Sequence, residues 1–136
     1  MISKERFLNW EYPEIKDGVP NKFSWIVKNL KGFVLGQRTD IGAFTYINAL
    51  HGVIIEENVQ IGSHCSIYSI STIDRSYGKV VIKANSKIGS HTTILPGVTI
   101  GENSVIGACS LINKNIPSNV LAFGVPVKII RQLENE

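Results

Sequence analysis

Six isoleucines fall on a strict six-residue period: Ile82, Ile88, Ile94, Ile100, Ile106 and Ile112. Upstream, Leu35, Ile41 and Ile47 share one frame, and Ile55, Ile61 and Ile67 share another; Ile73 is open between a further repeat position and a loop. The residue two before each is small or β-branched: Thr39, Thr45, Val53, Val59, Cys65, Ser71, Val80, Ser86, Thr92, Val98, Ser104 and Ser110. The residue after is often glycine, as at Gly36, Gly42, Gly62, Gly89, Gly101 and Gly107. A helix repeats near 3.6 residues, so this period is not helical. It suits short strands joined by tight corners, with the aliphatic and the small residue both facing inward because side chains two apart share a strand face. Glycine is expected to take corner conformations that a Cβ disfavours. Three such hexads would close one triangular coil of about eighteen residues.

Two breaks interrupt the frame. Ile47 to Ile55 is eight residues, which puts two inserted residues around Asn48–Gly52. Ile67 to Ile82 is fifteen, so Tyr68–Lys79 makes an excursion. Loops leaving a rigid solenoid are where function tends to sit.

The ends differ from the repeat. Residues 1–33 carry Trp10, Tyr12, Phe23, Trp25, Ile26 and Leu30, and read as a segment capping the first coil. Asn21 is expected to N-cap a short helix ending before Gly32. The repeat body is expected over 34–116, with the excursion at 68–79. After Ile112 the chain leaves the period, and Pro117 and Pro126 disfavour strand pairing. The tail, 117–136, is expected to end in a short strand or helix.

With 136 residues the chain fits one domain. A net charge of +3, without clustering, does not argue for nucleic acid. No apolar run reaches membrane-spanning length, and MISKERFLNW lacks the apolar core of a signal peptide, so a cytoplasmic setting is expected. Cys65 and Cys109 show neither a CxxC nor a metal-ligand spacing, and read as reduced thiols with no metal.

From Ile88 to Arg131 the text IGSHTTILPGVTIGENSVIGACSLINKNIPSNVLAFGVPVKIIR resembles the signature of the hexapeptide-repeat sugar acetyltransferases, such as galactoside and maltose acetyltransferases. The likeness covers roughly residues 34–131. It implies an all-β, left-handed parallel β-helix, a homotrimer, and acetyl-CoA lying between neighbouring subunits. It implies that Ser90 and Ala108 contact pantetheine, and that Asn113 and Lys114 stand where the family has a Thr-Lys pair. It also implies that Lys128 and Arg131 lie near the CoA phosphates. Small residues let the thin pantetheine arm approach backbone amides, and Lys and Arg neutralise phosphate.

Acyl transfer needs a proton acceptor, most often histidine. The chain has three, His51, His64 and His91. His64 and His91 lie in matched GSH triplets, each three residues after a repeat isoleucine, which places them at or near a corner. In the galactoside-type enzymes the catalytic histidine sits in the excursion loop; here STIDRSYGK has none, and Thr72 or its neighbours occupy that place. His64, which precedes that loop by a few residues, is the expected base, and His91, beside Ser90, is either a base or a CoA contact. Asp74 is expected to orient an acceptor amine or to take its proton through a water. The missing loop histidine points towards an amine acceptor, such as a nucleotide-linked amino sugar for surface glycans, with a saccharide hydroxyl as the alternative. Two other readings remain open from the residues alone: a non-catalytic β-helix scaffold, and a zinc carbonic-anhydrase-like enzyme, which needs three converging histidines.

Overall fold

The structure, a computed structural model, describes residues 7–134. The chain winds as a left-handed parallel β-helix of about five turns with three sheet faces. The first face stacks Ile26–Lys28, Tyr46–Asn48, Ser66–Tyr68, Thr93–Ile94 and Leu111–Ile112. The second stacks Phe33–Leu35, Val53–Ile55, Val80–Ile82 and Thr99–Ile100. The third stacks Asp40–Ile41, Gln60–Ile61, Lys87–Ile88, Val105–Ile106 and Val120–Phe123, and Lys128–Gln132 closes it antiparallel.

Register follows the hexad. Ile47 pairs with Ile67, Ile55 with Ile82, and Ile61 with Ile88. The repeat isoleucines therefore stack in columns inside the prism, where Ile47, Ile67, Ile82, Ile94, Ile100 and Ile112 are fully buried. The small residues also point inward. Their hydroxyls are satisfied by backbone carbonyls: Thr45 Oγ1 donates to Gly62 O (3.1 Å), Ser104 Oγ to Pro117 O (2.6 Å) and Ser110 Oγ to Gly107 O (2.7 Å).

The glycines act differently from the expectation. After a repeat isoleucine the left-handed residue is not the following glycine but the residue two after that glycine: Phe44, His64, His91 and Cys109 have φ of 66, 59, 58 and 60°. The glycine is required by close approach. A Cβ on Gly42 would lie 2.3 Å from Ser63 N, and one on Gly89 would lie 2.5 Å from Ala108 N.

The solenoid is longer at both ends than the period suggests. Ile26–Lys28, inside the expected cap, already pairs in parallel with Tyr46–Asn48. Past Ile112, Ile116 bridges Ile100, and Ala122 pairs with Ile106. Only four residues separate Ile112 from Ile116, so the frame shifts and then resumes. Pro117 is tolerated because it occupies the last rung. One rung below, the N–H of Gly101 donates to Ile116 O, whereas at Pro117 no further coil waits to accept. No helix begins at Asn21. Its Oδ1 accepts the N–H groups of Phe23 (3.0 Å) and Trp25 (3.3 Å) in a turn, and the chain then enters the first strand. Leu30–Gly32 forms a short 3-10 turn instead, after the first strand. Ile73 belongs to the loop, 96% exposed.

Candidate functional site

Three corners join the faces, and they differ in regularity. From second to third face the spacing between inward aliphatics is six residues in every coil: Leu35 to Ile41, Ile55 to Ile61, Ile82 to Ile88, Ile100 to Ile106. From third to first it is again always six. From first to second it runs eight, eight, fifteen, six and four: Val27 to Leu35, Ile47 to Ile55, Ile67 to Ile82, Ile94 to Ile100, Ile112 to Ile116. All length variation sits at this first corner. The third corner, rigid in length, carries His64 and His91.

At the third corner the left-handed residues build a column. The His64 ring lies 5.1 Å from Phe44, and the His64 and His91 rings stack at 4.8 Å with 3° between their planes. Backbone bonds set the spacing: His64 N–H donates to Ala43 O (2.9 Å), His91 N–H to Ser63 O (3.0 Å) and Cys109 N–H to Ser90 O (2.9 Å). Ser63, Ser90 and Ala108 form a second, small-residue column beside it, held against Gly42, Gly62 and Gly89. Phe123 packs over Gly107 at the upper end of this corner and pairs with Lys128. The fold thus gathers His64, His91, Ser90, Ala108 and, across Phe123, Lys128 along one edge of the prism. The spacing of three after the repeat isoleucine marks the whole column, Phe44 and Cys109 included, and is legible in the sequence.

Cys65 faces inward: its Sγ lies 3.3 Å from Gly89 O, and burial raises its pKa above the usual thiol range. That is a packed thiol, not a nucleophile. Cys109 is exposed.

The remaining candidates lie elsewhere. Asn113 and Lys114 are exposed at the first corner, one residue before Asn115, whose Oδ1 accepts the Thr99 N–H (2.8 Å). Arg131 sits on the closing strand opposite Leu121. Asp74 is in the excursion, also at the first corner, where Ser76 gives it a hydroxyl bond (2.7 Å) and an N–H bond (3.1 Å). These Ser76 bonds hold its carboxyl below the ordinary carboxylate range, which makes it a weaker proton acceptor and an enduring negative charge. Within one chain, therefore, the structure does not bring Asp74 together with His64 and His91.

His51 is the histidine that stands with the excursion. Its ring lies 4.8 Å from Tyr77, and its N–H donates to Ser69 Oγ (3.0 Å), which in turn donates to Asn48 O (2.8 Å). Ser69 is fully buried, so this anchor is fixed by the core. The two-residue insertion that carries His51 was the available signal: it falls at the same corner as the long loop. Among the described residues, no three His, Cys, Asp or Glu side chains converge as a metal site within one chain. No helix among the described residues is long and apolar enough to cross a membrane.

Comparison with known proteins matches two repeat families. The family described as Bacterial transferase hexapeptide (six repeats) matches residues 79–114, and Hexapeptide repeat of succinyl-transferase matches residues 52–73. The galactoside O-acetyltransferase of Lactococcus lactis is 35% identical over 115 residues, covering 74% of this chain and 56% of that protein. The galactoside O-acetyltransferase of Escherichia coli is 60% identical over 42 residues, 31% of this chain and 21% of that protein. The chain thus spans at most about half the length of these curated relatives. A hexapeptide-repeat acetyltransferase of Vibrio cholerae, solved with acetyl coenzyme A, superposes with a TM-score of 0.76 at 28% identity, covering 82% of this chain and 66% of that one. An N-acyltransferase of Bacillus cereus, solved with dTDP and 3-hydroxybutyryl-CoA, gives 0.72 at 25% identity, covering 84% and 68%.

Proposed function

We propose, from the premise that this chain is a member of the hexapeptide-repeat transferase family, that it transfers an acetyl group from acetyl-CoA to a sugar. The observation that carries this is the third corner. A strip of small residues, Ser63, Ser90 and Ala108, runs beside two stacked imidazoles. A thin thioester arm fits along such a strip, and an imidazole at its edge serves the attacking group. Lys128 and Arg131 at the upper end offer cations for the CoA phosphates.

In the proposed reaction the acceptor nitrogen or oxygen attacks the thioester carbonyl and the C–S bond breaks. The acceptor's proton passes to the His64 or His91 imidazole and from there to the departing thiolate. No acyl-enzyme forms. Because Asp74, Asn113 and Lys114 project from a different corner, the complete site joins the third corner of one copy to the first corner of the next, in a trimer. There Asp74, held ionised, would orient an ammonium or hydroxyl of the acceptor. An amino sugar, free or nucleotide-linked, is the proposed acceptor for a cytoplasmic step of surface-glycan synthesis. The B. cereus neighbour solved with dTDP supports a nucleotide-linked one. A second reading of the base, His51, is favoured by its contact with Tyr77 of the excursion.

The test is thiol release from acetyl-CoA with amino sugars, nucleotide-linked sugars and simple glycosides, in wild type and in His51→Ala, His64→Ala, His91→Ala and Asp74→Ala. Acceptor-dependent release, lost in one histidine variant, supports the reading. Absence of both release and any acetyl-CoA thermal shift leaves a scaffold instead.

A further inference from the structure

A separate cavity of about 860 Å³ lies at the N-terminal end of the prism, between residues 8–25 and the first strand of the third face. It contains none of the residues assigned above to acetyl transfer. Its wall is aromatic. The Trp10 indole is pinned to the prism by a bond from Nε1 to Thr39 O (2.7 Å) and meets Tyr12 edge-on at 4.8 Å. Phe23, half exposed, carries Lys22 Nζ 5.0 Å above its ring. Carboxylates alternate with these rings at Glu11 and Glu14, both exposed. Asn21 in the same wall spends its Oδ1 on the turn and leaves a buried Nδ2 without a partner.

We propose that this cavity is a second binding site, for a neutral saccharide. Its volume suits one or two pyranose rings. Rigid aromatic faces take the C–H face of a sugar, while the Glu11 and Glu14 carboxylates take its hydroxyls. Charge does not favour a nucleotide or phosphate here: among the described residues Glu11 and Glu14 offset Lys16 and Lys22 in the wall, which leaves no net cation for an anion. The site holds the remote part of a glycan, and its occupancy does not depend on the acetyl-transfer reading.

The chain has only two tryptophans, and both line the cavity. Intrinsic fluorescence of the wild-type protein therefore reports directly on it. Titration with methyl glycosides and neutral disaccharides is expected to give a saturable change, little affected by salt. Inorganic phosphate and nucleoside diphosphates are expected to give none. Glu14→Gln and Phe23→Ala, both exposed, are expected to weaken binding about tenfold without moving the melting temperature. His64→Ala is expected to bind as wild type, separating this cavity from the third corner. The inference is overturned by the absence of a saturable response to neutral saccharides. It is equally overturned by a response to nucleotides alone, or by saccharide affinity untouched in both Glu14→Gln and Phe23→Ala.

Discussion

The first and third corners of this prism are built from the same repeat and have opposite tolerances. The third keeps a six-residue step in every coil and packs backbone on backbone, so that glycine is the only residue that fits at Gly42 or Gly89. The first varies from four to fifteen residues and holds the exposed Leu50, Ile73 and Tyr77. The third corner repeats one length in every coil, while the first makes some close approaches, as at Gly32 against Ala49 and Gly78 against Gly97, yet leaves room beside Gly97 and absorbs every change of length. A rigid edge can hold a stacked imidazole pair to within the tolerance catalysis needs, while a variable edge can change its acceptor without disturbing the core.

The largest expected effect tests that contrast directly. Gly89→Val places carbon 2.5 Å from Ala108 N and 2.7 Å from its Cα, backbone that cannot move without shifting the whole rung. The cost should exceed about 4 kcal/mol and abolish cooperative folding. Gly97 at the first corner has φ +83° and nothing within 4 Å of an added Cβ. Gly97→Ala should cost only about 1 kcal/mol, the backbone term alone. Thermal melts of the two variants compare the corners, and equal losses would remove the distinction.

The same contrast explains what could be seen in the sequence. The core is local and periodic, so Ile82 through Ile112 announce it, and the matched GSH triplets announce the histidine corner. The last coil hid because a four-residue step from Ile112 to Ile116 breaks the frame that Ala122 resumes. The first coil hid because Val27 and Leu35 are separated by eight residues, at the variable corner. The glycine role was misread because period alone cannot separate a positive φ from a close approach. Pairing between corners, such as Asp74 against His64, is not encoded in spacing at all. It depends on which corner a loop leaves, and that requires the three-dimensional winding.

Next in size is the chemistry of the column. Asparagine tolerates left-handed backbone, and the second corner already uses Asn58, Asn85, Asn103 and Asn119 there with φ near 60°. His64→Asn and His91→Asn should therefore fold with melting temperatures within about 4 °C of wild type. If the third corner holds the base, one of them should lose about 100-fold in kcat/KM. Loss confined instead to His51→Asn would move the proton acceptor to the variable corner.

A smaller effect is expected from shortening the excursion. Ser71 N–H donates to Ser76 O (2.8 Å), and Ile70 bridges Tyr77 antiparallel, so the ends of the tip are already together. Replacing Thr72–Arg75 with Asn-Gly, a two-residue hairpin turn, should leave the melting temperature within about 3 °C. Turnover with the acceptor should fall at least about tenfold if Asp74 orients it, while the acetyl-CoA thermal shift is kept. A loss of acetyl-CoA binding would place the donor, rather than the acceptor, against the loop.

The smallest effect concerns one carboxyl. Ser76 supplies the two largest contributions that favour the ionised form of Asp74, with a further side-chain bond from Ser71, and the folded pKa accordingly lies below the ordinary value. Their contribution to loop order is present above the ordinary carboxylate pKa and fades as pH falls through the folded value. Ser76→Ala removes the hydroxyl bond but leaves the N–H bond, so the Asp74 pKa should rise part of the way back. Carbon NMR of the side-chain carboxyl across an acid titration reads this directly. Because Asp74 is fully exposed, the global melting temperature should not move. If the first corner is energetically separate from the rungs, the titration shifts and the His64 and His91 resonances do not. Movement of those rings with the Asp74 carboxyl would show that the two corners are coupled through the prism.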